Sequence, residues 1–200
     1  MSVKRPVKRL FVRAYTLIEL VLVVAVLAIA GMLLVPNLVD RDTFAIQAAA
    51  RATVSDIVFA QSDALANQEY RRVQFIPAPI GQDGYVGFCL LRVDPTSFTY
   101  PYDENTADYI NDPMASSSDD GRYIVDFSKD DRFNGVMIES VDLDAGLDYI
   151  TFDEFGGSIS SSSGAPGIGG TIDLVSKGYR YRVNVAPFTG KTTVEVLGAP

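Results

Sequence analysis

Ionisable and nucleophilic residues fall into a few groups whose spacing could support chemistry. Gly190-Lys191-Thr192 looks like the end of a phosphate-binding loop, but that motif needs a Gly five residues earlier, where this chain has Val185. A hairpin turn is the expectation there. Asp142, Asp144 and Asp148 alternate around Gly146 in a way that suits a calcium ion, yet they lack the spacing and terminal Glu of an EF-hand, so no metal is expected. Gly164 to Gly170, preceded by four serines from Ser160, reads as a flexible loop and not a dinucleotide fingerprint, because no strand leads into it and no helix follows. Arg71 and Arg72, with Arg180 and Arg182, read as a solvated strand face. Cys89 lies in the run Tyr85 to Leu90 and reads as a small buried apolar residue. The remaining group is a single carboxylate, Glu19, inside an otherwise uncharged run from Leu17 to Val35.

Composition narrows the chemistry further. The chain has 200 residues, 48% hydrophobic and 21% charged, with no His, no Trp and one Cys. Zinc sites, serine and cysteine triads and His general bases all rely on an imidazole, so no catalysis and no cofactor are expected. One Cys cannot close an internal disulfide. Lys4, Arg5, Lys8, Arg9 and Arg13 place five bases and no acid in residues 1–14, whereas the whole chain has 17 bases against 25 acids. The body is therefore acidic behind a basic leader, and nucleic acid is not an expected ligand.

The run from Leu17 to Val35, as a helix, would be about 28 Å long, close to a bilayer's hydrocarbon thickness. With the basic leader kept inside, the expectation is a single-pass inner-membrane protein with a cytoplasmic amino terminus and a periplasmic carboxy-terminal domain. Ala28-Ile29-Ala30 offers an alternative: a signal cleaved after Ala30 that releases a soluble secreted binding protein. Against it, the apolar run continues through Met32 to Val35, and Glu19 interrupts the apolar region of such a signal. A mid-membrane carboxylate costs about 2.5 to 3.5 kcal/mol, so Glu19 calls for a partner.

The stretch Arg13-Ala14-Tyr15-Thr16-Leu17-Ile18-Glu19-Leu20-Val21 resembles the processing site of type IV prepilins and type II secretion pseudopilins. The resemblance implies cleavage between Ala14 and Tyr15 by a prepilin peptidase, N-methylation of Tyr15, and an assembly role for Glu19. Ala14 stands where the family has Gly. The resemblance extends to Pro36, which follows Tyr15 by 21 residues and with Gly31 marks an expected helix bend. Ser55 to Ala64, Arg72 to Phe75, Ile150 to Asp153 with Gly156, and Tyr181 to Lys191 resemble the GspH/FimT-like minor pseudopilins.

Stepping along the chain, Ile46, Ala50, Val54, Ile57, Val58, Ala64 and Leu65 recur at helical spacing. From residue 71 the period becomes two, with strands expected at 72–76, 85–93, 122–127, 136–141, 149–152, 171–175, 179–185 and 192–197. Residues 95–121 suggest a disordered insert or a partner-binding loop. The expected fold is α+β and pilin-like: one helix of about 80 Å from Tyr15 to Asn67, membrane half then amphipathic half, packed on an antiparallel sheet. The corresponding organisation is a leader at 1–14, an assembly helix at 15–39, an amphipathic helix at 40–70 and a β-rich domain at 71–200.

The function implied is a minor pseudopilin of a type II secretion system or type IV pilus. Its implied partners are other pseudopilins or pilins through the amino-terminal helix, prepilin peptidase, the inner membrane and secreted cargo. The alternatives are a pilin, major or minor, of an adhesion or DNA-uptake pilus, and the soluble binding protein described above.

Overall fold

The computed structural model describes residues 15–34, 41–98, 101–114, 120–161 and 163–198. The chain divides into two compact units, Met1–Asp40 and Arg41–Pro200. Each unit has its own helix: α1 is Leu17–Leu34, 18 residues, and α2 is Arg41–Asn67, 27 residues.

Two expectations are corrected at this point. The first is the single helix of about 80 Å packed on a sheet. The chain forms two shorter helices, and the larger unit is mostly sheet, because the two-residue period that begins after Asn67 governs most of the remaining chain. The second is the single-pass inner-membrane placement with a periplasmic carboxy-terminal domain. Glu19 occupies the first turn of α1, leaving an uncharged stretch from Leu20 to Leu34 of about 22 Å against a hydrocarbon core of about 30 Å. Among the described residues no helix is long and apolar enough to cross a membrane.

The end of α2 is set by backbone chemistry. Gln68 takes a left-handed conformation at φ 54°, and the Glu69 amide donates to the Ala64 carbonyl at 3.2 Å, which closes the helix in a Schellman arrangement. Its buried face consists of Ala45, Ile46, Ala49, Ala50, Thr53, Ile57, Ala60 and Ala64. Thr53 satisfies its hydroxyl within the helix by donating to the Ala49 carbonyl at 2.9 Å. The expected apolar stripe was thus only partly the buried one: Val58 is 47% exposed and Leu65 57%. The reason lies in the sheet opposite. Phe75, Phe88, Phe127, Phe133 and Phe152 already fill the space beneath the helix, with ring centroids 4.7 Å apart for Phe127 and Phe133 and 5.9 Å for Phe75 and Phe88. Only short side chains let the helix come close to such a surface.

Nine strands make one antiparallel sheet: β1 Arg71–Pro77, β2 Tyr85–Arg92, β3 Ile124–Asp126, β4 Met137–Leu143, β5 Tyr149–Phe152, β6 Ser158–Ile159, β7 Gly170–Ser176, β8 Tyr179–Val185 and β9 Thr192–Gly198. The order is β6-β5-β1-β2-β4-β7-β8-β9, with β3 pairing β2 off this path. Each strand expected from alternation is present; β6, at two residues, is too short to show a period. Gly87 pairs with Asp126 across β2 and β3, and a Cβ there would run into the Val125 carbonyl.

The sheet's second face is covered by part of the segment between residues 95 and 121. Tyr109 bridges Leu91, the Arg92 amide donates to the Asp108 carbonyl at 2.7 Å, and the Ile110 amide to the Leu90 carbonyl at 3.0 Å. The expectation of a disordered insert is corrected for these residues, which add a ragged pairing beside β2. Beneath them Cys89, Leu91 and Tyr109 form a small second cluster, where burial pushes the Cys89 thiol up to about 12 and leaves it unreactive.

Polar contacts fasten α2 to its surroundings. Gln61 Nε2 donates to the Thr189 carbonyl at 2.9 Å and also to that of Gly156. The Tyr123 hydroxyl donates to Asp56 at 3.0 Å, while the Tyr123 ring stacks on Phe59 at 5.4 Å. Burial pushes the Asp56 carboxyl up from 3.8 to about 6; the Tyr123 hydrogen bond opposes this, Asp112 adds to it and Arg132 opposes it.

Ile57→Ala is expected to cost about 2–5 kcal/mol, whereas Val58→Ala one position along should stay within about 0.5 kcal/mol; denaturant titration of both variants checks the face assignment. Because Asp56 binds its proton more tightly in the native state, its contribution to stability is complete below its unfolded value of 3.8 and is lost as pH rises through about 6. Asp56→Asn should therefore gain stability relative to the parent chain between about pH 4 and pH 7, with no such relative gain at lower pH. Thermal unfolding across that range measures it.

Candidate functional site

In the amino-terminal unit, Thr16 stands where an N-cap belongs. Its hydroxyl accepts from the Glu19 amide at 3.3 Å, and its carbonyl accepts from Glu19 and Leu20 at 3.1 and 3.2 Å. Thr16 to Glu19 thus has the spacing of a capping box, with Glu19 at the third helical position. The carboxylate sits at the positive end of the helix dipole, where it is stabilised. It is exposed and makes no ion pair among the described residues. Tyr15 lies just ahead of the cap. Beyond Glu19, α1 presents Leu20, Leu22, Val24, Leu27 and Ile29 to the outside, and Leu17 is 81% exposed. A helix that is apolar on all sides is stable in water only when something covers it. Gly31 lies within α1 with open space around it, so the expected bend has no mark at that position; Ala14, Pro36 and the basic leader lie outside the described residues.

In the larger unit, the structure corrects the reading of Arg71 and Arg72 as solvated. Both point into the fold, at 2% and 4% exposure. Arg71 pairs with Asp63 through Nε and with Glu69 at 2.9 Å through Nη1, tying the end of α2 to the start of β1. Arg72 has no carboxylate partner among the described residues. Its guanidinium lies 3.9 Å from the ring centre of Tyr149 and 5.0 Å from that of Phe98. Nε donates to Thr151 Oγ1 at 3.1 Å and Nη2 donates to the Phe98 carbonyl. Burial lowers the guanidinium from its ordinary value, with Tyr149 and Asp148 acting in the opposite direction.

Arg72 also lines a cleft of about 670 Å³ at the end of β1 and β2, together with Arg92, Asp108 and Tyr102. Arg92 Nη1 pairs with Asp108 at 3.1 Å and donates to the Tyr109 carbonyl at 3.0 Å. Each arginine side chain is thus engaged with the protein: Arg72 pins the turn at Pro95–Ser97 and Phe98 against the second face, and Arg92 holds Asp108 to Ile110 beside β2. The sequence marked this pair of arginines only as a basic dipeptide; the aromatic partner at residue 149 comes from a distant strand.

The other motifs resolve as structure. Asp144 Oδ1 accepts from the amides of Ile168 and Gly169 at 2.6 and 3.2 Å, so it organises the loop before β7. Among the described residues no group of three or more His, Cys, Asp or Glu side chains is placed to hold a metal ion. Gly190-Lys191-Thr192 forms the turn between β8 and β9, closed by the Ala186 amide donating to the Lys191 carbonyl at 2.8 Å. Gly190 is needed there because φ is +61° and a Cβ would meet the Phe152 ring. On the sheet face, Arg182 binds Asp173 through two contacts of 2.7 Å, and Arg180 pairs with Glu139 at 2.6 Å.

Arg72→Ala should cost about 2–3 kcal/mol through lost hydrogen bonds and ring contacts and should speed amide exchange at Ile110 and Arg92. Arg92→Ala, a part-exposed pair, should cost no more than about 1 kcal/mol. Chemical denaturation with residue-resolved exchange separates the two.

No protein-family model matches the chain, and neither the curated proteins nor the solved structures contain a significant match to it.

Proposed function

We propose that this chain is a GspH/FimT-like minor pseudopilin, a subunit of a type II secretion pseudopilus or a type IV pilus, which joins its neighbours through α1 and serves protein secretion. The observation that carries this reading is the composition of α1: an exposed helix, apolar on all sides, whose first turn holds one unpaired carboxylate immediately after Tyr15. Neighbouring helices of the same kind supply the apolar cover that α1 lacks on its own.

Cleavage between Ala14 and Tyr15 would create a cationic amine one turn from Glu19. Among packed apolar helices, a carboxylate and an ammonium are tolerated together and costly apart, so Glu19 would pair with the amino terminus of an adjacent subunit and couple assembly to processing. The Thr16 cap supports this reading, because the Glu19 backbone is held while its side chain stays free to pair. The reading assigns no catalysis to the chain; the sheet unit offers surfaces for other subunits or secreted cargo.

Intact-mass analysis and amino-terminal sequencing of the chain from cells with and without prepilin peptidase test the proposal. The expected product begins at N-methylated Tyr15 and depends on the peptidase, and a chain beginning at Gly31 would overturn it. Glu19→Val should be processed normally yet enter filaments at about one tenth of the parent level or less, as measured in sheared filament fractions.

A further inference from the structure

At one edge of the sheet, β6 is two residues long and is flanked by the bridge from Ile159 to Pro166, so little backbone is open there. At the other edge, β9 runs for seven residues and pairs only with β8. It contains no proline, and its one charge is Glu195. Soluble proteins guard long edges with prolines, lysines, bulges or a covering loop. Among the described residues the outer side of β9 has none of these.

The cross-strand register specifies what would fit beside it. On the face toward α2, one row runs Ile172, Val183, Val194 and the next runs Leu174, Tyr181, Val196. Both rows are apolar, and they end at side chains still 45% and 60% exposed. On the opposite face a single row between them runs Asp173, Arg182, Glu195. Arg182 is bound to Asp173 at 2.7 Å, and Asn184 donates to Glu195 at 3.3 Å. Charge in this row alternates negative, positive, negative, and directly opposed like charges are unfavourable. The next place in the row therefore takes a cation, and its two neighbours take apolar groups.

We infer that β9 is a docking edge for an extended segment of a partner protein whose centre reads apolar, basic, apolar, added to the sheet as a further antiparallel strand. Main-chain hydrogen bonds would hold the strand, the apolar pair would extend the two rows ending at Val194 and Val196, and the basic residue would sit against Glu195. A second copy of β9 fits poorly, because two strands centred on their midpoints would set Glu195 against Glu195. This surface is distinct from α1 and does not depend on how α1 assembles.

The test uses the full-length chain kept dispersed in mild detergent and two synthetic peptides of about eleven residues, alike except for a central Val-Lys-Val or Val-Glu-Val. Amide exchange along β9 should slow several-fold with the lysine peptide and not elsewhere in the sheet. The lysine peptide should bind about three- to tenfold more tightly than its glutamate counterpart. Glu195→Lys, a substitution at an exposed position, should reverse that order while leaving exchange in β7 unchanged. Equal binding of the two peptides, protection that falls away from β9, failure of Glu195→Lys to reverse the preference, or dimerisation through β9 without peptide would each overturn the inference.

Discussion

The close approach of α2 to an aromatic sheet face is the constraint on which the rest of the larger unit depends. Five phenylalanines lie fully or almost fully buried in that interface, and they supply most of its volume. The helix answers with Ala45, Ala49, Ala50, Ala60 and Ala64, and only Ile46 and Ile57 project deeply. Dispersion in a packed interior falls off steeply with separation, so a bulkier helix face would lift α2 and weaken contacts along its length. The polar anchors act on the same geometry. Gln61 reaches two carbonyls from separate turns, and Asp56 meets Tyr123 beside the stacked Phe59 ring.

With one face of the sheet committed to α2, the opposite face is covered without a second helix. Arg72 does this between β1 and β5 by stacking between Phe98 and Tyr149 and bonding to neutral acceptors. A guanidinium suits the place because its flat faces are weakly hydrated and its edges are donors. Beside β2, the small cluster around Cys89 is closed by backbone pairing from Asp108 to Ile110. Beyond β4, the outer face is left to the ionic row of Asp173, Arg182 and Glu195, which carries its alternating charge to the edge at β9. α1 stands apart: its apolar surface is met by nothing in its own unit, which is why assembly through that helix is the reading its composition favours.

Much of this was legible along the chain. Period-two alternation located the strands from β1 to β9 apart from β6, and Gly190 with Lys191 marked the last hairpin. The helical run ending near Asn67 was also visible. Its buried side was misjudged because hydropathy ranks Val58 and Leu65 above Ala49 and Ala60, and no one-dimensional pattern shows that the opposing surface is already full of phenyl rings. The joined helix failed for a related reason. Apolar character runs nearly unbroken from Leu17 through the segment before α2, but continuity of hydropathy is not continuity of hydrogen bonding. Residues 101–112 read as an insert because their pairing with β2 is short and irregular, too brief for alternation to reveal.

The sequence by itself determined which stretches are helix and which are strand, the imbalance between a basic leader and an acidic body, and the presence of one carboxylate beside a threonine cap at the head of an apolar helix. These are local properties, carried by residue type and near-neighbour spacing. Only the tertiary structure decided that Arg71 and Arg72 are buried, that alanines and not larger residues face the sheet, and that Glu195 ends a row of alternating charge on an open edge. Each of those depends on strands far apart in the chain meeting in one register, and register is settled by the whole set of side chains that must share a face.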